Sequence, residues 1–343
     1  MNKQIIIVGC GISGATLANV LANKGWQVTI YEKNGFVGGN CYDSYDSNGI
    51  LIHNFGPHIF HTSDEEVYKF ITQFTKLNGY VNKVMVSVDN KFFPLPINFK
   101  SIEIIMRDKA KDVINILKSK FSGKKTITLF DLKQIEEPVV QEFVKYISEN
   151  VYLNYSIKMW GVKFEDIDPN TINRVKIILS DEHNYFPEDK YQGLPEVSYT
   201  DMINKMLKHP NIKVQLNVNA LDLIKITPDK IMLNGQELTT PIAYCGSLDE
   251  AFRYRLGTLP YRSLNIKFDS FQRGQYQDAA VINYPADPKL TRITEFKLMT
   301  LQKDKEATTI SKEYPGAFDP KSKDFNVRYY PIINEKNSST IQR

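Results

Sequence analysis

The run Gly9-Cys10-Gly11-Ile12-Ser13-Gly14 has the glycine spacing that lets a chain wrap a diphosphate. Gly9 permits a tight turn, Gly11 lets the backbone approach a pyrophosphate, and Gly14 lets the next helix pack closely on a sheet. Around Ile12 and Ser13 the helix start offers free N–H groups and the positive end of its dipole to phosphate oxygens. Glu32 stands where an acid binds ribose hydroxyls, with Lys33 beside it. The elements needed to hold these residues are legible. Gln4 to Val8 is an apolar, β-branched run that suits a buried parallel strand. Ala15 to Lys24 carries Leu17, Val20 and Leu21 along one helical face, Gly25 is a stop, and Gln27 to Tyr31 is a second strand ending at Glu32. Strand, glycines, helix, strand and acid in this order mark a Rossmann-like dinucleotide site, though the motif alone does not separate NAD from FAD.

Composition bounds the rest. With 343 residues the chain is long enough for a large core and more than one domain. Its 43 basic and 39 acidic residues nearly cancel, which argues against non-specific nucleic-acid binding but leaves room for a local cationic pocket. Cys10, Cys41 and Cys245 are widely scattered and the five histidines form no helical pair, so no metal site is expected. A reduced, cytoplasmic protein is the simplest reading. Ile5-Ile6-Ile7-Val8 is too short for a signal-peptide core or a membrane span.

Further motifs carry a more specific resemblance. Gly38-Gly39-Asn40, shortly after Glu32, resembles the FAD-binding pattern of amine-oxidase-like flavoproteins. The segment from His53 to Thr62, with Gly56-Pro57-His58-Ile59-Phe60-His61, resembles the histidine loop of bacterial UDP-galactopyranose mutases. Phe93-Pro94-Leu95-Pro96, Tyr155 to Gly161, Arg174, Asn184-Tyr185-Phe186 and Tyr191-Gln192-Gly193 continue the match. So do Tyr261-Arg262-Ser263, Val281-Ile282-Asn283, Thr291-Arg292-Ile293 and Tyr329-Tyr330-Pro331.

The resemblance implies FAD, active when reduced, bound by Gly9, Gly11, Ile12, Ser13, Gly14, Glu32, Lys33, Gly39, Asn40, His58 and Ile59. It implies a UDP-sugar substrate contacted by Tyr155, Trp160, Tyr185, Arg262, Asn283 and Tyr330, with Arg174, Arg292 and His61 as catalytic residues. Aromatic faces suit a flat base, and the guanidinium fork suits phosphate oxygens. The implied reaction converts a pyranose into a furanose through a reduced-flavin N5–sugar adduct, with the two arginines stabilising charge on the leaving diphosphate. NAD(P)H or another reductant and a homodimer belong to the same expectation.

The expected architecture is α/β. A discontinuous Rossmann-like FAD-binding domain (1–82, 201–260, 325–343) receives a helical subdomain (100–164) and an antiparallel sheet domain (83–99, 165–200, 261–324). Val113, Ile114, Ile116, Leu117 and Phe121 give the helical stretch its amphipathic pattern. The family continues beyond Tyr-Tyr-Pro into a Gly-Arg-Leu-Ala motif and a helix, so the chain ending at Arg343 is expected to lack that segment. Three departures from the family pattern stand out: Pro57 for alanine, Met159 for glutamine, and Glu196-Val197-Ser198 for Val-Gly-Gly. They leave open an N-acetylated or deoxy sugar. An amine-oxidase-like FAD oxidoreductase, or a non-catalytic nucleotide-sugar-binding remnant, stands as the alternative.

Overall fold

A computed structural model describes residues 3–161, 175–227, 229–255 and 257–332. These fall into two compact units, the first from Met1–His58, Asp64–Asn78 and Leu194–Leu259, the second from Ile59–Ser63, Gly79–Gly193 and Pro260–Arg343.

The first unit is built on a four-stranded parallel sheet in the order Ile212–Gln215, Gln27–Tyr31, Gln4–Val8, Ile242–Tyr244. Its central strand is buried from Ile6 to Val8, as its unbroken apolar run requires. The helix Ile12–Asn23 buries small residues, Gly14, Ala15, Ala18 and Ala22. That small face allows close approach to the strands. A Cβ added at Gly14 would lie 2.1 Å from the Gly9 carbonyl oxygen, so no other residue fits there without moving backbone. A second helix, Tyr199–Leu207, is capped by Ser198 and joined to the first by Asn19 Nδ2, which donates to the Met206 carbonyl at 2.8 Å.

The second unit carries a seven-stranded sheet in the order Tyr330–Pro331, Tyr261–Phe271, Thr308–Ala317, Arg292–Glu295, Val281–Asn283, Val84–Val88, Lys91–Leu95. All pairings are antiparallel except Val281–Asn283 with Val84–Val88. Helices Phe99–Met106, Ala110–Lys120, Pro138–Ile147 and Asn154–Trp160 belong to the same unit.

This partition differs from the expected one in several places, with residues 59–63 and 79–82 also falling in the second unit. The helical stretch and the antiparallel sheet form one unit. Ser101, in the first turn of Phe99–Met106, donates its hydroxyl to the Pro94 carbonyl at 2.7 Å and so seats the helix on the sheet's edge strand. Tyr330–Pro331, expected with the dinucleotide domain, pairs with Arg262 and Tyr261 and forms the sheet's outermost strand. Residues 194–200, expected with the sheet, lead into the helix of the first unit.

Replacing Gly14 by alanine should cost about 1–3 kcal/mol of stability through overpacking and should weaken dinucleotide binding in parallel. Urea unfolding of the variant tests this, and an unchanged midpoint would mean that helix and turn are not in such close contact.

Candidate functional site

Two groups of residues can hold ligands, one in each unit. In the first unit, Gly9 takes φ +98°, a conformation open to glycine, and turns the chain out of the first strand. Gly11 caps the helix without any side-chain bond, so the N–H groups of the first turn, around Ile12 and Ser13, are open to an anion. The second glycine pair packs against the first. Gly38 N–H donates to the Cys10 carbonyl at 2.8 Å, and a Cβ on Gly39 would lie 3.2 Å from Gly11 Cα. Bare backbone therefore surrounds the helix start, with Asn40 in the short turn that follows. This cradle fits a dinucleotide diphosphate.

Glu32 closes the second strand, as the sequence predicts, but its carboxylate is buried and engaged. Oε2 accepts from Cys10 N–H, and Oε1 from the Asn34 backbone and side chain, each at 2.8 Å. It thereby braces the glycine turn. Burial, with Glu32 nearby, pushes the Cys10 thiol up to about 12 and keeps it neutral. Lys33 is exposed and pairs with Glu250 at 3.3 Å. In the histidine loop, burial and then His58 push His53 down to about 3, so its neutral Nδ1 accepts from His58 N–H at 3.1 Å. The His58 ring is turned onto the Gly56 carbonyl at 2.8 Å.

The second unit holds a cavity of about 540 Å³, within the range of small-ligand sites. Tyr155, Trp160, Tyr185, Asn283, Tyr330 and His61 all line it, so six of the sequence-predicted residues converge on one space. His58 and Ile59 lie outside its wall. Helix geometry supplies one side. Tyr152, Tyr155, Ser156 and Met159 follow the spacing of a single helical face, and a π-helical turn at Ser148–Leu153 adds Val151 to the wall. Trp160 and Tyr330 hold their ring centroids 6.2 Å apart. His61 stacks on Phe186 at 3.6 Å and places Nδ1 2.6 Å from Asp189 Oδ2, which fixes its ring.

The sheet contributes Val86 and Asn283 to the wall. Val86, Asn283, Arg292 and Glu313 stand directly opposite one another on four successive strands, and paired residues share a face. Glu313 is 1% exposed and Arg292 22%, with Arg292 Nε 2.8 Å from Glu313 Oε2. Burial alone would depress the guanidinium, but Glu313, Tyr155 and Tyr330 outweigh it, so Arg292 stays charged. Burial raises the Tyr155 hydroxyl, and neighbouring Arg292 does not reverse this, so Tyr155 remains a proton donor at neutral pH. Among the described residues, the two terminal nitrogens of Arg292 make no hydrogen bond.

Three predicted arginines are not among the residues of the cavity wall, and of these Arg292 stands beside Tyr155 and Tyr330, which are. Arg174 lies outside the described residues. Arg262 is absent from the cavity wall because its guanidinium grips the end of the aromatic helix: Nε donates to the Met159 carbonyl at 2.6 Å and Nη2 to that of Lys158 at 3.1 Å. This also explains the Trp-Gly pair. Gly161 takes φ +64°, and a Cβ there would lie 2.5 Å from Arg262 Nη1. Glu313 was missed, because its position opposite Arg292 depends on a strand register that no local pattern shows. Lys176 and Asp189, which do line the wall, carry no distinctive spacing either.

Gly161→Ala should lower stability by about 1–2 kcal/mol from the left-handed backbone alone and displace the Arg262 side chain. A melting temperature equal to that of the unaltered protein would contradict this packing.

The comparisons with known proteins agree with the geometry. The sequence profile of UDP-galactopyranose mutases matches residues 150–343, and that of NAD(P)-binding Rossmann-like domains matches residues 7–74. The UDP-galactopyranose mutase of Mycoplasma genitalium is 40% identical, covering 99% of this chain and 85% of the relative. The dTDP-fucopyranose mutase of Escherichia coli is 29% identical over 97% of this chain and 85% of its own. Among solved structures, a reduced UDP-galactopyranose mutase superposes with a TM-score of 0.67 at 17% identity, over 95% of this chain and 76% of the other, which shows a shared fold. With a profile over more than half its length and a relative aligned along nearly all of it, the chain belongs to the UDP-galactopyranose mutase family.

Proposed function

We propose that this protein is a flavin-dependent isomerase that interconverts the pyranose and furanose forms of a nucleotide-sugar, with UDP-galactose as the principal substrate. FAD is held on the glycine cradle of the first unit, and the nucleotide-sugar in the cavity of the second. The observation that carries the reading is Arg292, fixed at Nε by Glu313 while its terminal nitrogens are free among the described residues, beside two tyrosines that line the cavity.

A reduced flavin, when bound on the glycine cradle, would supply electron-rich, nucleophilic chemistry toward the sugar. The residues of this chain do the electrostatic work. As the bond from sugar to diphosphate breaks, negative charge grows on the diphosphate. The Arg292 guanidinium stabilises it in a partly buried site, where a charge-assisted hydrogen bond counts for more than in water. Tyr155, Tyr185 and Tyr330 donate hydroxyl protons to the same oxygens, and Asn283 offers its amide to the sugar. Trp160 gives the uracil a face to pack on. Held this way, the nucleotide stays in place while the sugar ring rearranges, so its return is effectively intramolecular. Arg174 is assigned the second phosphate contact, and Asp189 orients the His61 ring. A cytoplasmic homodimer fed by NAD(P)H or another reductant completes the reading.

The apolar Met159 in the wall favours one second reading, a dTDP-deoxysugar whose thymine methyl would contact the thioether.

Protein mixed with FAD and passed through gel filtration should keep the visible flavin bands. After dithionite reduction it should equilibrate UDP-galactopyranose and UDP-galactofuranose, while the oxidised protein stays inactive; turnover of only the dTDP-deoxysugar would select the second reading. Arg292→Ala should retain flavin and lose about 10²–10³ in kcat. Near-normal turnover in that variant would show that Arg292 does not stabilise the leaving diphosphate.

A further inference from the structure

Lys158 occupies the same helix as the cavity aromatics, and its ammonium lies within hydrogen-bond distance of four carbonyl oxygens: Tyr284 at 2.7 Å, Asp287 at 2.5 Å, Leu290 at 2.6 Å and Pro285 at 3.4 Å. These belong to the loop joining the strand that ends at Asn283 to the strand that begins at Arg292. An ammonium has three donors, so this ring of carbonyls saturates it without any carboxylate in contact. The Asp287 carboxylate is engaged elsewhere, accepting from Lys289 and Leu290 N–H to close the turn.

The arrangement forms a closed circuit. Arg262 ties the sheet to the Lys158 and Met159 carbonyls, Lys158 ties the helix to the loop, and the loop returns to the sheet at Asn283 and Arg292. The helix brings Tyr155, Met159 and Trp160 to one wall of the cavity, and the loop sets the strand end that carries Asn283 into that wall and the strand start at Arg292 beside it.

We propose that Lys158 is a positioning residue for substrate binding, holding the Asn283–Arg292 strand ends in register with the aromatic helix so that base and diphosphate are bound together. The inference rests on the nucleotide-sugar reading of this cavity. Loss of the ammonium leaves four carbonyls without their shared donor and frees the loop to move against the helix.

Titration gives a second handle on it. Burial pushes the Lys158 ammonium down to about 8. Among the described residues, Asp287, Lys289 and Tyr284 of the loop, and Arg262 and Tyr314 of the sheet, are the titratable groups around it. Asp287 is held below its usual range and burial raises the Tyr284 hydroxyl, so both keep their ordinary ionisation states at neutral to mildly alkaline pH. The neutral amine has one donor fewer and a lone pair that repels a carbonyl. Binding should therefore be intact below the Lys158 pKa and weaken as pH rises through it.

The chain has two tryptophans, so Trp26→Phe leaves Trp160 as a fluorescent reporter in the cavity wall. In that background, with FAD bound, UDP should quench the fluorescence. Lys158→Met should weaken UDP binding at least about tenfold with flavin absorbance unchanged, while Lys158→Arg, which keeps a cation, should stay within about threefold. Between about pH 7 and about pH 9 the parent should lose affinity and the Lys158→Arg variant should not, a difference that cancels the ionisation of uracil itself. Parent quenching with equal UDP affinity in Lys158→Met, or identical pH profiles for parent and Lys158→Arg, overturns the inference alone. No quenching in the parent overturns the nucleotide-sugar reading and this inference with it. If Lys158→Met fails to fold, the pH comparison decides.

Discussion

The ion pair of Arg292 with Glu313 governs the second unit. A carboxylate as deeply buried as Glu313 loses its water, and the desolvation penalty in proteins amounts to several kcal/mol for each ion. Arg292, directly opposite on the next strand, supplies a cation at contact distance that offsets that penalty. A one-residue slip of either strand would turn one partner to the other face and leave the other charge buried alone. The pair therefore fixes the register of the sheet's centre, and the register in turn places Asn283 and Val86 in the same row.

The first unit answers a different constraint, the need to bring bare backbone to a phosphate. Its limiting contact is steric. Gly14 sits against the Gly9 carbonyl because the helix must start where the strand stops, and the alanines after it continue the small face. Glu32 then carries a structural duty of its own, since its two oxygens hold Cys10 and Asn34 in place. In this state the carboxylate braces the turn, so ribose recognition by Glu32 would require some of these bonds to be exchanged.

The parts of this protein legible in its sequence are those set by local rules. Strand, glycine turn, helix and second strand appear where the pattern puts them, because each is dictated by residues a few positions apart. Tyr155, Trp160, Tyr185, Asn283 and Tyr330 were named from resemblance to a family, and they meet in one cavity. What escaped depends on long-range geometry. Glu313 is an ordinary glutamate in a β-strand until its neighbour across the sheet is known. Arg262 was named a ligand contact from the same resemblance, and its donors are engaged by carbonyls at a helix end, a long-range contact that no local pattern shows. The helical stretch and the sheet, expected as separate domains, are joined by a hydroxyl-to-carbonyl bond between Ser101 and Pro94 that local patterns do not show.

Three cations around the same helix thus have three different fates, and their partners explain why. Arg262 meets main-chain carbonyls at a helix terminus, where the dipole favours positive charge, and becomes a clamp. Lys158 meets the carbonyls of a loop and becomes its hub. Arg292 meets a single buried carboxylate at one edge of its guanidinium, which immobilises it and leaves the other edge without a described partner. A planar cation held on one side suits oxygens arriving on the other. The positions of the neighbouring acceptors, more than the identity of the basic residue, separate the arginine suited to chemistry from the two cations that hold the site in shape.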